Sequence, residues 1–390
     1  MTSNRHTEFD DLLPFPPEEY LAKLELLQKR LEENDLMGTL VFDPENIFWI
    51  TGYRSIGYFT FQALFVPRTG MPTLISRIVN RRLAEALPTF GTFIAIPDTE
   101  NPIDVLARFI RGTIASDSRV GLETNSTNIS IKQYRILLER LGGIFVDWDG
   151  VIEEQRKLKT PVQMTRMRAA AKAAVAGLDS AVSATAAGRL ENDVAAAMLS
   201  GSVAAGSEYF RVPLVVTGPA TSLCFTTWQR RRIEAGHVVL LESAACIDRY
   251  HAVIGRTAVI GRAQAVHRRV ADALIGTLDS AIASMRPGAT IDSVYRAGHR
   301  VLDSAGFSGA MPYRLGYSVG IAFPPNWAEG HFLDLTAGDQ TRLQPGMTFH
   351  VIPSMFTPEF GMWFSETVAV TDSGADVLTE YPRALLELEA

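Results

Sequence analysis

The sequence predicts an α/β amino-terminal domain followed by an α+β carboxy-terminal domain. With 390 residues, the chain is longer than one ordinary domain requires. Short apolar runs alternate with helical patterns in the first part of the chain, which is typical of α/β domains. After a charged connector, the composition changes to alanine-rich helices and paired strands. We therefore assign residues 1–155 to the first domain and residues 162–390 to the second.

The amino-terminal half opens with a helix that follows Pro16-Pro17. Its acidic start favours a helix amino terminus. Its apolar residues recur at helical spacing, at Tyr20, Leu24, Leu27 and Leu31. The strands predicted next are MGTLVFD, FQALFVP, PTLISR, RVGLET and GGIFVDWD, and the predicted helices are NRRLAEAL, NPIDVLARFIRGTI and ISIKQYRILLERLG. DPENIFWITGY is expected to form a turn into an aromatic segment.

The connector VIEEQRKLKTP covers residues 151–161 and ends at Thr160-Pro161. The residue before a proline disfavours the helical conformation, so this dipeptide predicts a boundary. Beyond it, the predicted helices are MTRMRAAAKAAVAGLDSAVSATAAG, ENDVAAAMLSGSVAAG, VHRRVADALIGTLDSAIASM and IDSVYRAGHRVLDSAG. The predicted strands are RVPLVVTG, HVVLLESAACI, HAVIGRTAVIG, MTFHVIPSMF and MWFSETVAVT. Helices grouped between strand pairs indicate an α+β domain.

Composition and charge exclude several classes of protein. Hydrophobic residues make up 47% and charged residues 21% of the chain, as in ordinary globular proteins. The net charge of −6 gives no reason to expect nucleic acid as a partner, because its binding depends on cationic patches. Two cysteines cannot form a disulfide framework and make a poor zinc site, which favours a reducing compartment. The sequence lacks a signal-peptide core and an apolar run of the ~18–20 residues that a membrane span needs, so we expect a cytoplasmic protein that does not bind membranes.

Six segments of the chain occur in an order that is typical of one enzyme family. They are RKLKTPVQMTRMRAAAKAA, RRRIEAGHVVLLESAACIDRYHAVIGRTAVIG, RPGATIDSVYRAGHRVLDSAGF, GYSVGIAFPP, LQPGMTFHVIPSMF and SETVAVTDSGADVLT. With these segments the chain resembles the creatinase/prolidase/methionine aminopeptidase family, whose catalytic domain has the pita-bread fold. The amino-terminal half is compatible with the accessory domain of that family. The resemblance implies a creatinase-type amino-terminal domain and a pita-bread carboxy-terminal domain.

The same segments imply that the usual metal chemistry of the family is absent. The metallopeptidases of the family hold two divalent ions with two Asp, one His and two Glu. The corresponding positions here carry, in order, Glu242, Val253, Tyr317, Ile352 and Ser365. Divalent ions need several N or O donors, and valine and isoleucine offer none. The resemblance therefore implies that no dinuclear site forms, and we expect no metal and no cofactor.

Some members of the family work without metal, and the resemblance extends to them. Creatinase cleaves a C–N bond of a guanidinium compound, and ectoine hydrolase opens a cyclic amidine. The segments GYSVGIAFPPNWAEG, LQPGMTFHVIPSMF, DPENIFWITGY and ESAACIDRYH are similar to ectoine hydrolase. The metal-free hydrolases carry a His before the central hairpin, and the matching position of this chain is Phe225 or its neighbour Cys224. The resemblance implies a metal-independent hydrolase of a C–N bond in a small cationic or zwitterionic substrate, either a cyclic amidine or a guanidino acid.

Two other functions are compatible with the same residues. A pita-bread domain that has lost its metals can serve as a non-catalytic binding protein, and Phe225 in place of His favours that function. An Xaa-Pro-type aminopeptidase with an atypical site is the second alternative. It would need another cluster of His, Asp and Glu at suitable spacing, which the second half of the sequence does not offer.

Two carboxylates are the main catalytic candidates that the resemblance implies. Glu242 ends the apolar strand HVVLLES, and a buried carboxylate needs a partner or a raised pKa. We expect it to act as general base or nucleophile, or to bind the substrate cation; an ion pair with Arg256 or Arg249 is the structural alternative. Glu366 is expected to face Glu242, so that the pair provides one acid and one base. Its structural alternative is a solvated position at a strand edge.

His251 and a group of aromatic side chains complete the candidate site. His251 is the only histidine of the central hairpin and the candidate proton carrier near neutral pH, with a hydrogen-bonded structural role as the alternative. His237, His331 and His350 have weaker claims, since the resemblance gives their positions no chemistry. Aromatic residues at or near the former metal positions predict a box for a substrate cation, or else fill the space of the absent ions: Tyr317, Trp327, Trp363 and Phe225.

Arg54 and Phe61 belong to an aromatic segment of the amino-terminal half. In creatinase-like dimers this region of one subunit reaches the active site of the other, so the resemblance implies a homodimer with a shared site. Arg54 is then the candidate to bind a substrate carboxylate in bidentate fashion; otherwise the segment makes core or dimer contacts. Light scattering checks the homodimer, because a stable monomer at micromolar concentration would exclude a shared site.

Overall fold

The computed structural model describes residues 12–115, 117–209, 214–329 and 332–390. The contacts within the chain divide it after Arg156 into two units. The amino-terminal unit is α/β and the carboxy-terminal unit is α+β, which is the fold class that the sequence predicts. Within the described ranges, every helix is too short or too polar to span a bilayer.

The amino-terminal unit is built on one six-stranded mixed sheet. Its strands are β1 (Gly38–Val41), β2 (Gln62–Pro67), β3 (Thr73–Arg77), β4 (Thr92–Ile96), β5 (Val120–Leu122) and β6 (Phe145–Asp147). Their order is β4-β3-β2-β1-β5-β6, and β2 pairs antiparallel with both β1 and β3 while the other pairs are parallel. The helices are α1 (Pro17–Glu33), α2 (Pro44–Thr51), α3 (Arg81–Glu85), α4 (Pro102–Thr113), α5 (Ile131–Leu141) and α6 (Val151–Arg156).

One sequence prediction about this unit is wrong. DPENIFWITGY forms helix α2 rather than a turn: Pro44 occupies the first helical position, and Gly52 ends the helix in the left-handed conformation with φ of +73°. All but one of the residues of α2 are buried, so the amphipathic pattern that identifies a surface helix is missing. The first part of the charged connector forms α6.

The described part of the carboxy-terminal unit has four helices and three sheets. The helices are α7 (Pro161–Ala184), α8 (Glu191–Ala204), α9 (Ala265–Ser284) and α10 (Ile291–Ser304). The strands are β7 (Leu214–Thr217), β8 (Val238–Ile247), β9 (Tyr250–Ile260), β10 (Gly316–Ser318), β11 (Asp334–Leu335), β12 (Thr348–Val351), β13 (Ser354–Phe356), β14 (Gly361–Trp363), β15 (Glu366–Thr371), β16 (Gly374–Val377) and β17 (Leu386–Leu388). The sheet orders are β17-β9-β8-β7, β11-β10-β12-β15-β16 and β13-β14. The first three residues of the predicted strand RVPLVVTG lie outside the described residues.

Each of the two larger sheets is covered by one pair of helices. Helices α7 and α8 share a buried core with Val239 and Leu241 of β8. Helices α9 and α10 share another with Phe349 and Val351 of β12. Side chains alternate along a strand. Glu242 follows Leu241 in β8, and His350 lies between Phe349 and Val351 in β12. Both side chains therefore point away from the helices.

The two predicted carboxy-terminal strands are each interrupted. MTFHVIPSMF contains β12 and β13, because Pro353 has no N–H for a sheet ladder. MWFSETVAVT contains β14 and β15, with the break at Phe364 and Ser365. At that break the Ser365 N–H donates to the Gly255 carbonyl at 3.0 Å. The carboxy-terminal sheet therefore meets β9 of the other sheet at this point.

Candidate active site

Glu242, Gly255 and Ser365 lie side by side on three adjacent backbone segments. Glu242 is directly opposite Gly255 in the antiparallel pair of β8 and β9, and Gly255 bridges on its other side to Ser365. A Cβ atom on Gly255 would lie 2.9 Å from Ser365 Oγ and 2.8 Å from the Trp363 ring. Glycine at this position therefore provides the space beside Glu242 that the serine hydroxyl and the indole ring occupy.

His350 connects Glu242 to a chain of hydrogen bonds. Its Nε2 lies 2.7 Å from Ser365 Oγ and 3.8 Å from Glu242 Oε1. Its Nδ1 lies 2.9 Å from the Tyr317 hydroxyl, and the Trp327 indole N–H donates to that same hydroxyl at 2.7 Å. Glu242, His350 and Ser365 are at most 3% exposed. Three of the five positions that the resemblance assigns to metal ligands, Glu242, Tyr317 and Ser365, thus lie around His350.

The imidazole of His350 is neutral at pH 7. Burial, together with the positive charge of Arg314, lowers its pKa from 6.5 to about 3. That guanidinium lies 4.5 Å from the centre of the Tyr317 ring and is held 2.8 Å from Asp334. A neutral imidazole carries one hydrogen and one lone pair on its two nitrogens, so His350 donates at one end and accepts at the other.

His350 is the functional candidate that sequence reasoning underestimated. The resemblance gives its position no chemistry, so it ranked below His251. One signal was available: His350 precedes Ile352 by two residues, and residues two apart lie on the same face of a strand. The resemblance assigns Ile352 to a metal-ligand position, so His350 lies on the same face of the strand as that position.

Glu366 does not face Glu242, which corrects the predicted carboxylate pair. Its Oε1 accepts from Arg256 at 2.6 Å and from Arg383 at 3.0 Å, and its Oε2 accepts from Thr379 at 2.6 Å. It is 1% exposed, so it is not a solvated edge residue either. Consecutive strand residues point to opposite faces, which directs Glu366 away from the face that Ser365 shares with the site.

The structural alternative for Glu242, an ion pair with Arg256 or Arg249, does not form. Arg256 binds Glu366, and Arg249 donates from Nε and Nη2 to Glu208 Oε2 at 3.0 and 2.6 Å. Both arginines are buried and held by these contacts. Glu242 is therefore left facing His350 and the network around it.

His251 lies in a separate hydrogen-bonded cluster. Its Nε2 is 2.6 Å from the Tyr209 hydroxyl and its Nδ1 is 2.9 Å from the Arg249 carbonyl oxygen. Burial, with the positive charge of Arg249, lowers its pKa to about 3. It shares a face of the hairpin with Glu242 but lies four residues along β9 from Gly255, or about 13 Å. The fold does not bring the predicted proton carrier to the candidate base.

Three of the four predicted aromatic residues meet at the site. Tyr317 and Trp327 form the chain to His350, and the Trp363 indole N–H donates to the Leu241 carbonyl at 3.2 Å. Phe225 is instead 91% exposed, with a φ of +60° that is rare for a bulky residue. Its neighbour Cys224 is an exposed residue as well. The pKa of the Cys224 thiol is raised because the sulfur itself is partly buried and the negative charge of Glu242 acts on it.

The two site residues predicted in the amino-terminal unit have different surroundings there. The Phe61 ring lies 6.2 Å from the Phe42 ring and packs against the core of that unit, as the core alternative expects. Arg54 is half-buried in the segment that follows α2. Its contact with a substrate carboxylate stays a prediction. His331 and His6 lie outside the described residues, and His237 contacts Thr217 at 3.2 Å.

The residues present do not fit the two metal ions of the family. Val253 and Ile352 carry no donor atoms, and the Val253 backbone is bound to the Thr367 hydroxyl at 2.8 Å. Glu242 and His350 supply two donors between them. Across the described ranges, no group of three or more His, Cys, Asp or Glu residues is placed to hold a metal ion.

Lowering the pH should destabilise the protein through His251 and His350. Both have folded-state pKa values of about 3, below the unfolded value of 6.5, so the unfolded state binds protons first as the pH falls. Their stabilisation is present above pH 6.5 and lost toward about pH 3. From about pH 7.5 to pH 5 the free energy of unfolding should fall by about 2 kcal/mol for each histidine. Urea unfolding measures this, and His251→Gln should remove one of the two contributions; an unchanged slope would contradict it.

Comparisons with known proteins cover nearly the whole chain. A model of the creatinase/prolidase N-terminal domain matches residues 23–158, and a model of metallopeptidase family M24 matches residues 165–372. Ectoine hydrolase of Halomonas elongata is 28% identical over 96% of this chain and 98% of its own. An uncharacterized hydrolase/peptidase of Sinorhizobium fredii is 26% identical over 96% of this chain and 99% of its own.

Solved structures of similar fold include two peptidases. Dipeptidase PepE from Mycobacterium ulcerans has a TM-score of 0.84 at 21% identity and covers 96% of this chain and 100% of its own. Prolidase from Thermococcus sibiricus has a TM-score of 0.85 at 19% identity and covers 95% of this chain and 99% of its own. At these sequence identities the similarity shows the fold alone. It is the two-domain fold that the six sequence segments predict.

Proposed function

The chain belongs to metallopeptidase family M24, and we propose that it is a metal-independent hydrolase of a C–N bond in a small cationic or zwitterionic substrate. One observation carries the proposal. Glu242 lies buried beside the neutral imidazole of His350, while Val253 and Ile352, which the resemblance also assigns to metal-ligand positions, have no donor atoms. The likeness to ectoine hydrolase supports a hydrolase that acts on a C–N bond.

A substrate with a delocalised cation matches this set of groups. The carbon of an amidinium or guanidinium is already electrophilic, so its hydrolysis needs a positioned oxygen nucleophile and a base rather than a Lewis acid. A buried carboxylate attracts a cation, and the ring faces of Trp327 and Trp363 favour one as well. The Tyr317 ring already packs against the Arg314 cation. Such a site would disfavour anionic substrates.

Glu242 can perform the reaction in one of two ways. As a base it takes a proton from water while the water oxygen bonds to the substrate carbon, and it then returns that proton to the departing nitrogen. As a nucleophile its own oxygen bonds to the carbon, the C–N bond breaks, and water hydrolyses the resulting intermediate. Both routes use the same carboxylate. Glu366 and His251, which lie in separate contacts, take no part in either.

A non-catalytic binding protein is the second candidate function. The observation that favours it is that Phe225 and Cys224, one of which matches the His of the metal-free hydrolases, are both exposed. In that case Glu242 would still attract a small cation, but the protein would release it unchanged. The aminopeptidase alternative has less support, because the dipeptidase and prolidase likeness is one of fold.

The test of the proposal is turnover by the purified protein with ectoine, creatine and related guanidino acids, before and after extensive chelation. We expect hydrolysis of one compound at a rate that chelation leaves unchanged, with no stoichiometric Zn, Mn, Fe or Co in the protein. A prolidase of the same family serves as the control that chelation should inactivate. Activity restored only by added metal would overturn the proposal. A rise in melting temperature without turnover would favour the binding protein.

A further inference from the structure

Ser365, His350 and Tyr317 have the arrangement of an activated serine nucleophile. A hydroxyl lies 2.7 Å from one imidazole nitrogen, and the other nitrogen lies 2.9 Å from a third polar group. In a serine nucleophile the imidazole accepts the hydroxyl hydrogen, so its Nε2 would carry the lone pair and its Nδ1 the hydrogen. The opposite tautomer makes His350 a donor on the side of Glu242. The position of one hydrogen therefore separates two chemistries at this site.

We propose that Trp327 and Tyr317 hold His350 in the tautomer with hydrogen on Nε2, so that it donates toward Ser365 and Glu242 and is not the base for Ser365. The inference rests on the proposed function where it assigns the catalytic role to Glu242. Trp327 and Tyr317 act through His350 and are positioning residues.

Trp327 sets the direction of the hydrogen bonds that run from it through Tyr317 to His350. An indole N–H can only donate, so at 2.7 Å the Tyr317 oxygen is the acceptor. The Tyr317 hydroxyl lies 2.9 Å from His350 Nδ1, and we take the phenol as the donor to that nitrogen. The Arg314 cation lies 4.5 Å from the centre of the Tyr317 ring and draws electron density toward itself, which makes the phenol a better donor. A neutral imidazole that accepts at Nδ1 carries its hydrogen on Nε2.

The other end of the imidazole supports the same direction independently. Nε2 faces Ser365 Oγ at 2.7 Å and Glu242 Oε1 at 3.8 Å. A nitrogen lone pair aimed at a buried carboxylate would add repulsion in a region of low dielectric, whereas an N–H there is attracted to it. With both ends in agreement, His350 stabilises the ionised form of Glu242, which remains the group that accepts protons or attacks.

Nitrogen NMR of histidine-labelled protein tests the proposal without any substrate. In the wild type at pH 7 we expect His350 to show a protonated Nε2 and an unprotonated Nδ1, with His251→Gln and His267→Gln used to identify the signals of the other two buried histidines of the described residues. Trp327→Phe removes the fixed donor and should shift His350 toward a mixture of tautomers. Thermal unfolding of each variant checks that it is folded. A hydrogen on Nδ1 in the wild type would overturn the proposal even if every variant failed to fold.

Kinetics with the identified substrate distinguish the two chemistries a second time. Ser365→Ala should keep turnover within about tenfold of wild type, which is the effect of one lost hydrogen bond. Loss of all turnover in Ser365→Ala would instead make Ser365 the nucleophile and contradict the tautomer assignment. Failure of the proposed function would appear as absence of substrate turnover in the wild type, and the NMR result would stand apart from it.

Discussion

Replacing Glu242 with glutamine should lower turnover of the substrate by about 10²–10⁴-fold, the usual loss when a positioned general base is removed. Glutamine has nearly the same size as glutamate but neither accepts a proton at neutral pH nor attacks carbon. Its amide can occupy the same position, 3.8 Å from His350 Nε2, so the fold should be retained. The measurement is kcat with the identified substrate, together with the melting temperature of the variant.

Glu359→Gln is the matched control for this experiment. Glu359 is an exposed carboxylate in the turn between β13 and β14, so the same chemical change there should leave turnover unaffected. Glu242→Asp adds a graded comparison, because it keeps the charge but withdraws it by one methylene. Wild-type turnover in Glu242→Gln would show that the carboxylate is not the reacting group. Loss of turnover in Glu359→Gln as well would show that the change acts through the fold.

Replacing Arg256 with methionine should destabilise the protein by about 3–5 kcal/mol, the range for breaking a buried ion pair by removing one partner. Arg256 is fully buried and binds Glu366 Oε1 at 2.6 Å. Its Nη1 also donates to the carbonyls of Ser365 and Gly255 at 2.7 and 2.8 Å. The variant therefore removes a buried charge and these three donated hydrogen bonds, and leaves the Glu366 carboxylate with Arg383 and Thr379 as its donors. Urea denaturation measures the loss, provided that the dependence on urea concentration stays unchanged.

The control for Arg256→Met is Arg268→Met, which removes one partner of an exposed ion pair. Arg268 lies 2.5 Å from Glu387, and both side chains are at least 40% exposed. Water and salt compensate exposed charges, so this variant should unfold at nearly the same urea concentration as the wild type. Equal losses in the two variants would show that the buried contacts of Arg256 contribute no more than a surface pair. Since Arg256 holds the backbone next to Ser365, Arg256→Met should also lower turnover.

The neutral state of His350 affects both the pH dependence of stability and the chemistry of the site. A histidine that stays neutral down to about pH 3 cannot serve as the titrating group of a reaction near pH 7. Any loss of turnover between pH 5 and pH 8 must then come from Glu242, the substrate or another group. This separates the site from enzymes in which a histidine exchanges protons with substrate in each cycle.

Short-range patterns predicted most elements of the fold but missed α2. Amphipathic spacing identified α1, α4 and α5, whose apolar faces pack on the amino-terminal sheet. Helix α2 is buried on nearly every side, and a segment that is apolar all round shows no periodicity. The breaks at Pro353 and at Phe364-Ser365 were missed for a different reason. They are set by where one sheet meets another, and a single strand carries little sign of that.

The candidate site was predicted in part. Glu242, Tyr317, Trp327 and Trp363 were assigned from their places in family segments, and the structure brings them together around His350. Glu366 was assigned for its charge and its position next to a metal-ligand residue, but strand alternation turns it to the other face. His251 was preferred to His350 because it lies in the same hairpin as Glu242. Nearness in sequence along a hairpin did not give nearness in space.

The sequence by itself determined the fold class, the family and the loss of metal donors, because these follow from local periodicity, from ordered segments and from the atoms that valine and isoleucine carry. Only the tertiary structure decided which histidine joins Glu242 and which carboxylate is neutralised. Arg256 and Glu366 are 110 residues apart, and Tyr317 and His350 are 33 apart, so each contact exists only once strands from separate segments have paired. A hydrogen bond depends on distances of a few tenths of an ångström between such strands, and no residue type or spacing in the chain specifies them.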